Sequence, residues 1–325
     1  MSGAFHFDLD TFMTTLSSKP KPVPTAAMIA DALSGAVIGQ ETTLTALANA
    51  VHDQLTRDQP GRSSGIFLLA GPDMARAKDA IACGLAKVLG YDWNLYNLAD
   101  PGLSAARLFG SEPTGPRPGS IAHQLTTAPH SVIILDGIEH AYPPVLEHLI
   151  AGWRSGSILD AAGTRIPTEK AIFMLTTAIA QVGVSQIARS GLSADQRHIA
   201  CLKLLSDAGL SAALLRRVDA VLCFEGLSLP DLARECRRSL EQQVASHGLT
   251  LTEDGLDTAV LTGAMTSALG VSAPAFQRRR ATLDLRLSEI RKAGATRIRL
   301  VMDGDAIGVV PVAPAAGKET RPLNR

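Results

Sequence analysis

Short apolar runs along this chain alternate with longer stretches in which apolar residues recur every three or four positions. The runs fall at 66–70, 132–135, 171–175 and 220–224, each bounded by turn or polar residues. Runs of that kind suit strands buried on both faces, and the helical stretches of about ten or more residues between them suit crossovers. From Glu41 the apolar positions Leu44, Leu47, Val51 and Leu55 keep a helical stripe. The pattern predicts an α/β domain with a parallel sheet flanked by helices. After Phe224 the character changes. Residues 228–246, 252–268 and 273–292 have helical periodicity, and 297–302 with 306–310 read as a hairpin around Asp303-Gly304. The expected organisation is an N-terminal arm and lead-in helix (1–34), a large α/β domain (35–224), a small and mostly α-helical domain (225–313) and a loose tail (314–325). The arm ends in Lys19-Pro20-Lys21-Pro22-Val23-Pro24, which cannot be a regular helix or a central strand.

Composition narrows the function classes. The 325 residues are 46% hydrophobic and 19% charged, as in an ordinary globular protein. Thirty-one basic residues balance 31 acidic ones, so neither nucleic acid nor an anionic membrane is an expected partner. The run Ile66–Ala70 is far too short to span a bilayer. No basic start precedes an apolar stretch at the N-terminus, so export is not expected and the protein is read as cytoplasmic. Cys83, Cys201, Cys223 and Cys236 show neither CxxC nor metal-ligand spacing and read as buried thiols. No metal site is expected.

Three segments in order carry an identification. Val37-Ile38-Gly39-Gln40 precedes the first helix. Ser131-Val132-Ile133-Ile134-Leu135-Asp136-Gly137-Ile138-Glu139-His140-Ala141 reads as a buried strand ending in an acid. Gly156-Ser157-Ile158-Leu159-Asp160 to Gly163-Thr164 then leads into Ala171-Ile172-Phe173-Met174-Leu175-Thr176-Thr177. Together these resemble the C-terminal ATPase module of the ClpA and ClpB family of protein unfoldases, over about residues 35–310 at matching spacing. The family's separate N-terminal domain and first ATPase module have no counterpart among these residues. The resemblance implies an AAA+ sheet of the P-loop type followed by a small helical lid domain.

It also implies a nucleotide site, and here the residues depart from the family. An active phosphate loop, GxxxxGK[ST], uses glycines so that backbone N–H groups cradle phosphates, a lysine that neutralises them and a hydroxyl for Mg²⁺. This chain has Gly71-Pro72-Asp73-Met74-Ala75-Arg76-Ala77-Lys78-Asp79. Without a gap, Ala77 takes the lysine position and Lys78 the hydroxyl position. With one inserted residue, Lys78 keeps its role and Asp79 replaces the hydroxyl. The second alignment is preferred because it puts Ile81, Leu85 and Leu89 on the family's apolar helix positions. In function, this segment reads first as a plain strand–turn–helix connection, with residual nucleotide binding as the alternative. Asp136 stands at the family's Mg²⁺-associated acid, Gly137 at the water-polarising glutamate, and Ala178 at the asparagine that holds the water. Ala273, in Val271-Ser272-Ala273-Pro274, takes the place of the small domain's arginine.

The pore loop, Gly110 to Gly119, lacks the family's aromatic and carries three prolines, so a grip on extended polypeptide is not expected. In Leu214-Leu215-Arg216-Arg217-Val218-Asp219 the resemblance makes Arg217 the arginine finger; the alternative is a surface arginine paired with Asp219 or another acid. Arg278-Arg279-Arg280 reads as a solvated face, and Ser190-Gly191-Leu192 lacks the leading isoleucine of a protease-docking loop. The expectation is a degenerate AAA+ protein. Its remnant nucleotide site comprises Val37, Ile38, Gly71, Lys78, Asp79 and Asp136, where ATP or ADP binds weakly if at all. It would act as a scaffold or regulatory subunit, in a homo-oligomer or with another AAA+ protein.

Overall fold

The apolar runs form the centre of a five-stranded parallel sheet. The computed structural model describes residues 22–57, 61–72, 74–112, 115–269, 273–304 and 306–312. Residues 1–21 of the arm, Val271-Ser272 and the tail 314–325 lie outside the described residues. In the first of two compact units, Met1–Gly226, helices α1 (Ala26–Ala36) and α2 (Glu41–Thr56) precede β1 (Gly65–Ala70) and α3 (Met74–Leu89). Then come β2 (Asp92–Asn97), α4 (Ala105–Phe109), the short pair β3 (Ser111–Glu112) and β4 (Gly115–Pro116), α5 (Ile121–Thr127) and β5 (Ser131–Asp136). Helix α6 (Pro143–Ser155) leads to the hairpin β6 (Ser157–Leu159) and β7 (Arg165–Pro167), and β8 (Ile172–Thr177) follows. Helices α7 (Gln181–Arg189), α8 (Ala194–Asp207) and α9 (Ala212–Leu215) precede β9 (Ala220–Cys223).

The sheet order is β2-β5-β8-β1-β9, with every pairing parallel. Because side chains alternate along a strand, each central strand feeds two cores. Ile66, Leu68, Ile133, Leu135, Phe173 and Leu175 pack on one side, where Trp153 meets Phe173 edge-on at 5.3 Å. Phe67, Leu69, Val132, Ile134, Ile172 and Met174 pack on the other, against Leu33, Leu44, Leu47 and Val51 of α1 and α2. The parallel register brings the C-terminal ends of β1, β5 and β8 level, as Ala70 pairs with Thr177 and Leu135 with Leu175.

The unit Leu227–Arg325 has its own core around Leu232, Leu240, Val260, Leu283, Leu287, Ile298 and Leu300. Its helices are α10 (Leu229–Ser246), α11 (Thr258–Ala268) and α12 (Ala273–Lys292). Strands β10 (Thr250–Leu256), β11 (Arg297–Asp303) and β12 (Ala306–Pro311) make a three-stranded sheet.

Three expectations need correction. Strand β2, with polar Asp92, Asn94 and Asn97, carries no apolar run; it is an edge strand with one pairing neighbour. The helix expected from residue 252 begins at Thr258, where the Asp257 side chain accepts the Ala259 N–H at 2.8 Å. Residues 250–256 instead pair with β11, so the hairpin gains a third strand. Of the four cysteines, Cys201 on α8 and Cys223 on β9 are joined as a disulfide, and Cys83 is exposed. That pairing follows from α8 packing on β9, which spacing alone does not reveal.

Asp219 fastens β9 to β1. Its backbone N–H donates to Ile66 O at 2.8 Å, and its carboxylate accepts the Ile66 N–H at 2.8 Å and Arg62 at 3.3 Å. Burial raises its pKa above the usual carboxylate value, against the lowering pull of the Ile66 N–H, Arg62 and Arg57. An acid with a raised folded pKa contributes stability that is full below its unfolded pKa and is lost as pH rises through the folded one. Asp219→Asn is therefore expected to flatten that fall in a series of urea melts across the acid range. Asp219→Ala leaves the buried Ile66 N–H without an acceptor and is expected to cost about 1–3 kcal/mol; an alanine variant as stable as the parent would contradict the role.

Candidate functional site

Three strand ends converge on one carboxylate. Strand β1 exits into Gly71, whose N–H donates to Thr177 O at 3.2 Å, while Phe224 N–H donates to Ala70 O at 2.8 Å. Gly71 has φ +140°, and a Cβ there would sit 2.4 Å from Phe224 O. The glycine is thus demanded by the close approach of the chain leaving β9. Helix α3 then presents Lys78 to Asp136 at the end of β5, and the two form an ion pair. The other Asp136 oxygen accepts the Thr176 hydroxyl at 2.5 Å, and the same hydroxyl oxygen accepts the Gly137 N–H at 3.0 Å. Lys78 and Asp136 side chains are only 13% and 20% exposed, so the pair is mostly withdrawn from water.

The residue after the acid is shaped by its backbone. Gly137 has φ 72° and ψ 55°, a left-handed conformation that any side chain adopts at a cost, and a Cβ there would lie 3.1 Å from the His140 ring. A one-turn 3₁₀ helix, Ile138–His140, follows. It carries Glu139, whose Oε1 accepts the Ala178 N–H at 2.9 Å; its Oε2 is buried with no hydrogen-bond partner among the described residues.

The other singled-out residues distribute as follows. Ala77 packs against the core beneath α3, and Asp79 is exposed with no partner among the described residues. Val37 is buried beside α1 and Ile38 is half-buried. Gln40 is buried too, and its side-chain amide donates to Glu225 O at 2.8 Å. Thr43 donates to Cys223 O at 3.0 Å, and Arg189 pairs with Glu225 at 3.2 Å, so the chain leaving β9 is held from two sides. Arg217 is half-buried, and among the described residues its guanidinium has no hydrogen-bond or ion-pair partner. Asp219 is instead engaged by Arg62, so the alternative pairing of Arg217 with Asp219 is not formed. Asp160 is buried and orders the β6–β7 turn by accepting the Ala162 and Thr164 N–H groups at 2.9 and 2.8 Å. The residue that sequence reasoning passed over is Thr176. Its signal was a hydroxyl closing an apolar run, one strand away from the acid.

No protein-family model matches the chain. A chaperone protein ClpB 2 from Parasynechococcus marenigrum is 30% identical over 238 residues, covering 68% of this chain and 26% of that protein. A chaperone protein ClpB from Mycobacterium tuberculosis is 31% identical over 216 residues, covering 63% of this chain and 23% of the relative. The ATP-binding subunit ClpE of an ATP-dependent Clp protease from Lactococcus lactis is 27% identical, over 63% of this chain and 28% of its own length. The chain therefore matches about a quarter of the length of these relatives. No described helix is long and apolar enough to cross a membrane.

The ion pair and its threonine predict strong coupling. In a double-mutant cycle with Lys78→Ala and Asp136→Ala, the interaction energy from denaturant unfolding is expected at about 1–3 kcal/mol. Additive single effects would mean that the pair contributes nothing.

Proposed function

We propose that this chain, which carries a ClpA/ClpB-like AAA+ module, is a catalytically degenerate member of that class and works through protein–protein assembly. The observation that carries this reading is the closure of Lys78 on Asp136, whose other oxygen accepts the Thr176 hydroxyl, beside a glycine at position 137. In an active site of this type, lysine meets phosphate and a carboxylate polarises the attacking water. Here the lysine is already neutralised by the acid, and no side chain follows that acid. A positioned general base contributes about 10²–10⁴-fold. Glu139 is no substitute in this reading, because it is tied to the Ala178 N–H. The residues present do not fit a nucleotide as an intact phosphate loop does: the inner glycines are replaced, and Asp79 offers a negative charge where a hydroxyl belongs. No hydrolytic step is derived.

The unpartnered Arg217 supports the second half of the proposal. A finger arginine acts on the γ-phosphate held by a neighbouring subunit, so it retains a use in a chain that cannot fire. The reading is a cytoplasmic scaffold or regulatory subunit, in a homo-oligomer or beside an active AAA+ protein. Such side-by-side contacts close into rings or run on as helices. Assembly is expected to depend little on ATP.

Turnover, ligand-binding and mass measurements test this. Steady-state assays on the purified chain are expected to give no ATP turnover; turnover abolished by Asp136→Ala would overturn the proposal. Gly137→Glu is expected to restore none and to cost about 1–2 kcal/mol, because the side chain must sit in left-handed backbone. In a thermal-shift series a ligand at 100 times its Kd stabilises by about 2.7 kcal/mol. A shift of that size at modest ATP, without turnover, would favour a nucleotide sensor. Mass in solution is then measured with and without nucleotide and with a candidate AAA+ partner. A strictly monomeric chain that binds no such partner removes the scaffold role, and Arg217→Ala without effect on a partner's ATPase rate removes only the finger.

A further inference from the structure

The disulfide between Cys201 and Cys223 encloses the arginine that the proposed assembly uses. Its cysteines stand 22 positions apart, on α8 and β9, and the loop between them carries α9, Arg217 and Asp219. Closing a loop covalently removes conformations that its residues would otherwise reach. Weaker ties act on the same loop. The Val221 N–H donates to His198 Nδ1 at 3.0 Å, which joins β9 to α8 a second time, and Asp219 is latched to Ile66 and Arg62. Burial holds the pKa of His198 below its ordinary value, against the raising pull of Asp195, so the ring stays an acceptor at neutral pH. Leu210, Leu214 and Leu215 are buried in the middle of the loop. The Arg217 backbone N–H donates to Leu214 O at 2.7 Å, but its guanidinium has no partner among the described residues. The place of that guanidinium thus follows from how the loop is held, not from a contact of its own.

The bond also has an approach from solvent. Cys201 is fully buried, whereas Cys223, 5% exposed, borders a cleft of about 360 Å³ lined by Asn49 and Asp53 of α2 and by Arg197 and His198 of α8. In the cytoplasmic setting proposed above thiols are kept reduced, and a disulfide that forms there usually serves catalysis or redox sensing. We propose that the Cys201–Cys223 pair is a redox switch on the Arg217 contact, holding the arginine loop when oxidised and loosening residues 208–219 when a dithiol reduces it. Its use in assembly rests on the reading of Arg217 given above; the loosening itself does not. A thiolate of the dithiol attacks the Cys223 sulfur, the bond to Cys201 breaks, and the Cys201 thiolate takes a proton from water. The second thiolate of the dithiol then displaces Cys223, which is protonated in turn. Two electrons pass to the two cysteines, and the dithiol ends as a disulfide.

The test uses the full chain carrying Cys83→Ser, which removes the exposed thiol. It is equilibrated with graded mixtures of reduced and oxidised glutathione, or with dithiothreitol, then quenched, alkylated and mapped by mass spectrometry. The linked pair is expected to give way to two free thiols as reductant rises. In the reduced chain the amides of residues 208–219 are expected to exchange about tenfold faster, while those of β5 and β8 keep their protection. Cys201→Ser/Cys223→Ser is expected to exchange like the reduced chain whatever the mixture. A pair that stays linked in excess dithiothreitol is a structural crosslink and overturns the switch. Reduction that leaves residues 208–219 unchanged overturns it too, as does reduction that also exposes β5 and β8, which marks general unfolding. Because the disulfide is reduced in the otherwise unaltered loop, the test stays decisive if the double serine variant does not fold. Arg217→Ala without effect on a partner's ATPase rate would remove the finger and leave the redox-dependent exchange standing, so the two failures are told apart.

Discussion

The ion pair between Lys78 and Asp136, with the Thr176 hydroxyl on the carboxylate's second oxygen, is the interaction on which the upper end of the sheet depends. It joins the first helix after β1 to the ends of β5 and β8, three elements far apart in sequence. Separating two mostly withdrawn charges leaves each without its counterion, which costs more than the pair contributes when formed. An anion arriving at Lys78 competes with Asp136 for the three N–H donors of the ammonium, and so some of the ion pair is lost. A phosphate cradle built of glycine N–H groups would offset that loss. After Gly71 comes Pro72, which has no N–H to give, and Met74 and Ala75 already belong to α3.

The two glycines that flank the network answer to backbone rather than to ligand. Gly71 allows the carbonyl of Phe224 to approach, which lets the chain beyond β9 cross the end of β1. Gln40, Thr43 and Arg189 then secure that crossing. Gly137 turns the chain through left-handed space into the Ile138–His140 turn, which seats Glu139 on the Ala178 N–H. Glu139 thereby ties the turn after β5 to the chain leaving β8.

The strands carry different business at their two ends. Toward the C-terminal ends lie the network and its glycines; toward the N-terminal ends lie the Asp219 latch and a basic cavity beside the entering chain. Both ends can specialise because the sheet between them is fixed by two apolar cores, into which alternate residues of β1, β5 and β8 project. Arg217 follows α9, just before the strand that Asp219 fastens, and Arg62 satisfies Asp219. That division leaves the Arg217 guanidinium without an acid to hold it among the described residues.

The sequence by itself determined the parallel sheet, because Ile66–Ala70, Val132–Leu135 and Ala171–Leu175 are apolar enough to demand burial on both faces. It also determined α10 and α12 within a residue at each end, the C-terminal end of α11 and the hairpin around Asp303-Gly304. Chemical identities at Gly137, Ala178 and Asp79 were plain as well. Only tertiary structure decided what lacks a local signature. Edge strand β2 has no apolar run, since half its surface faces solvent. Strand β10 is called into the sheet by β11, some forty residues later. The junction of Cys201 with Cys223 depends on how α8 lies on β9. The bridging of Lys78 and Thr176 by Asp136 is likewise beyond any window of sequence. A lysine, an acid and a threonine drawn from separate elements meet only because parallel pairing sets three strand ends level.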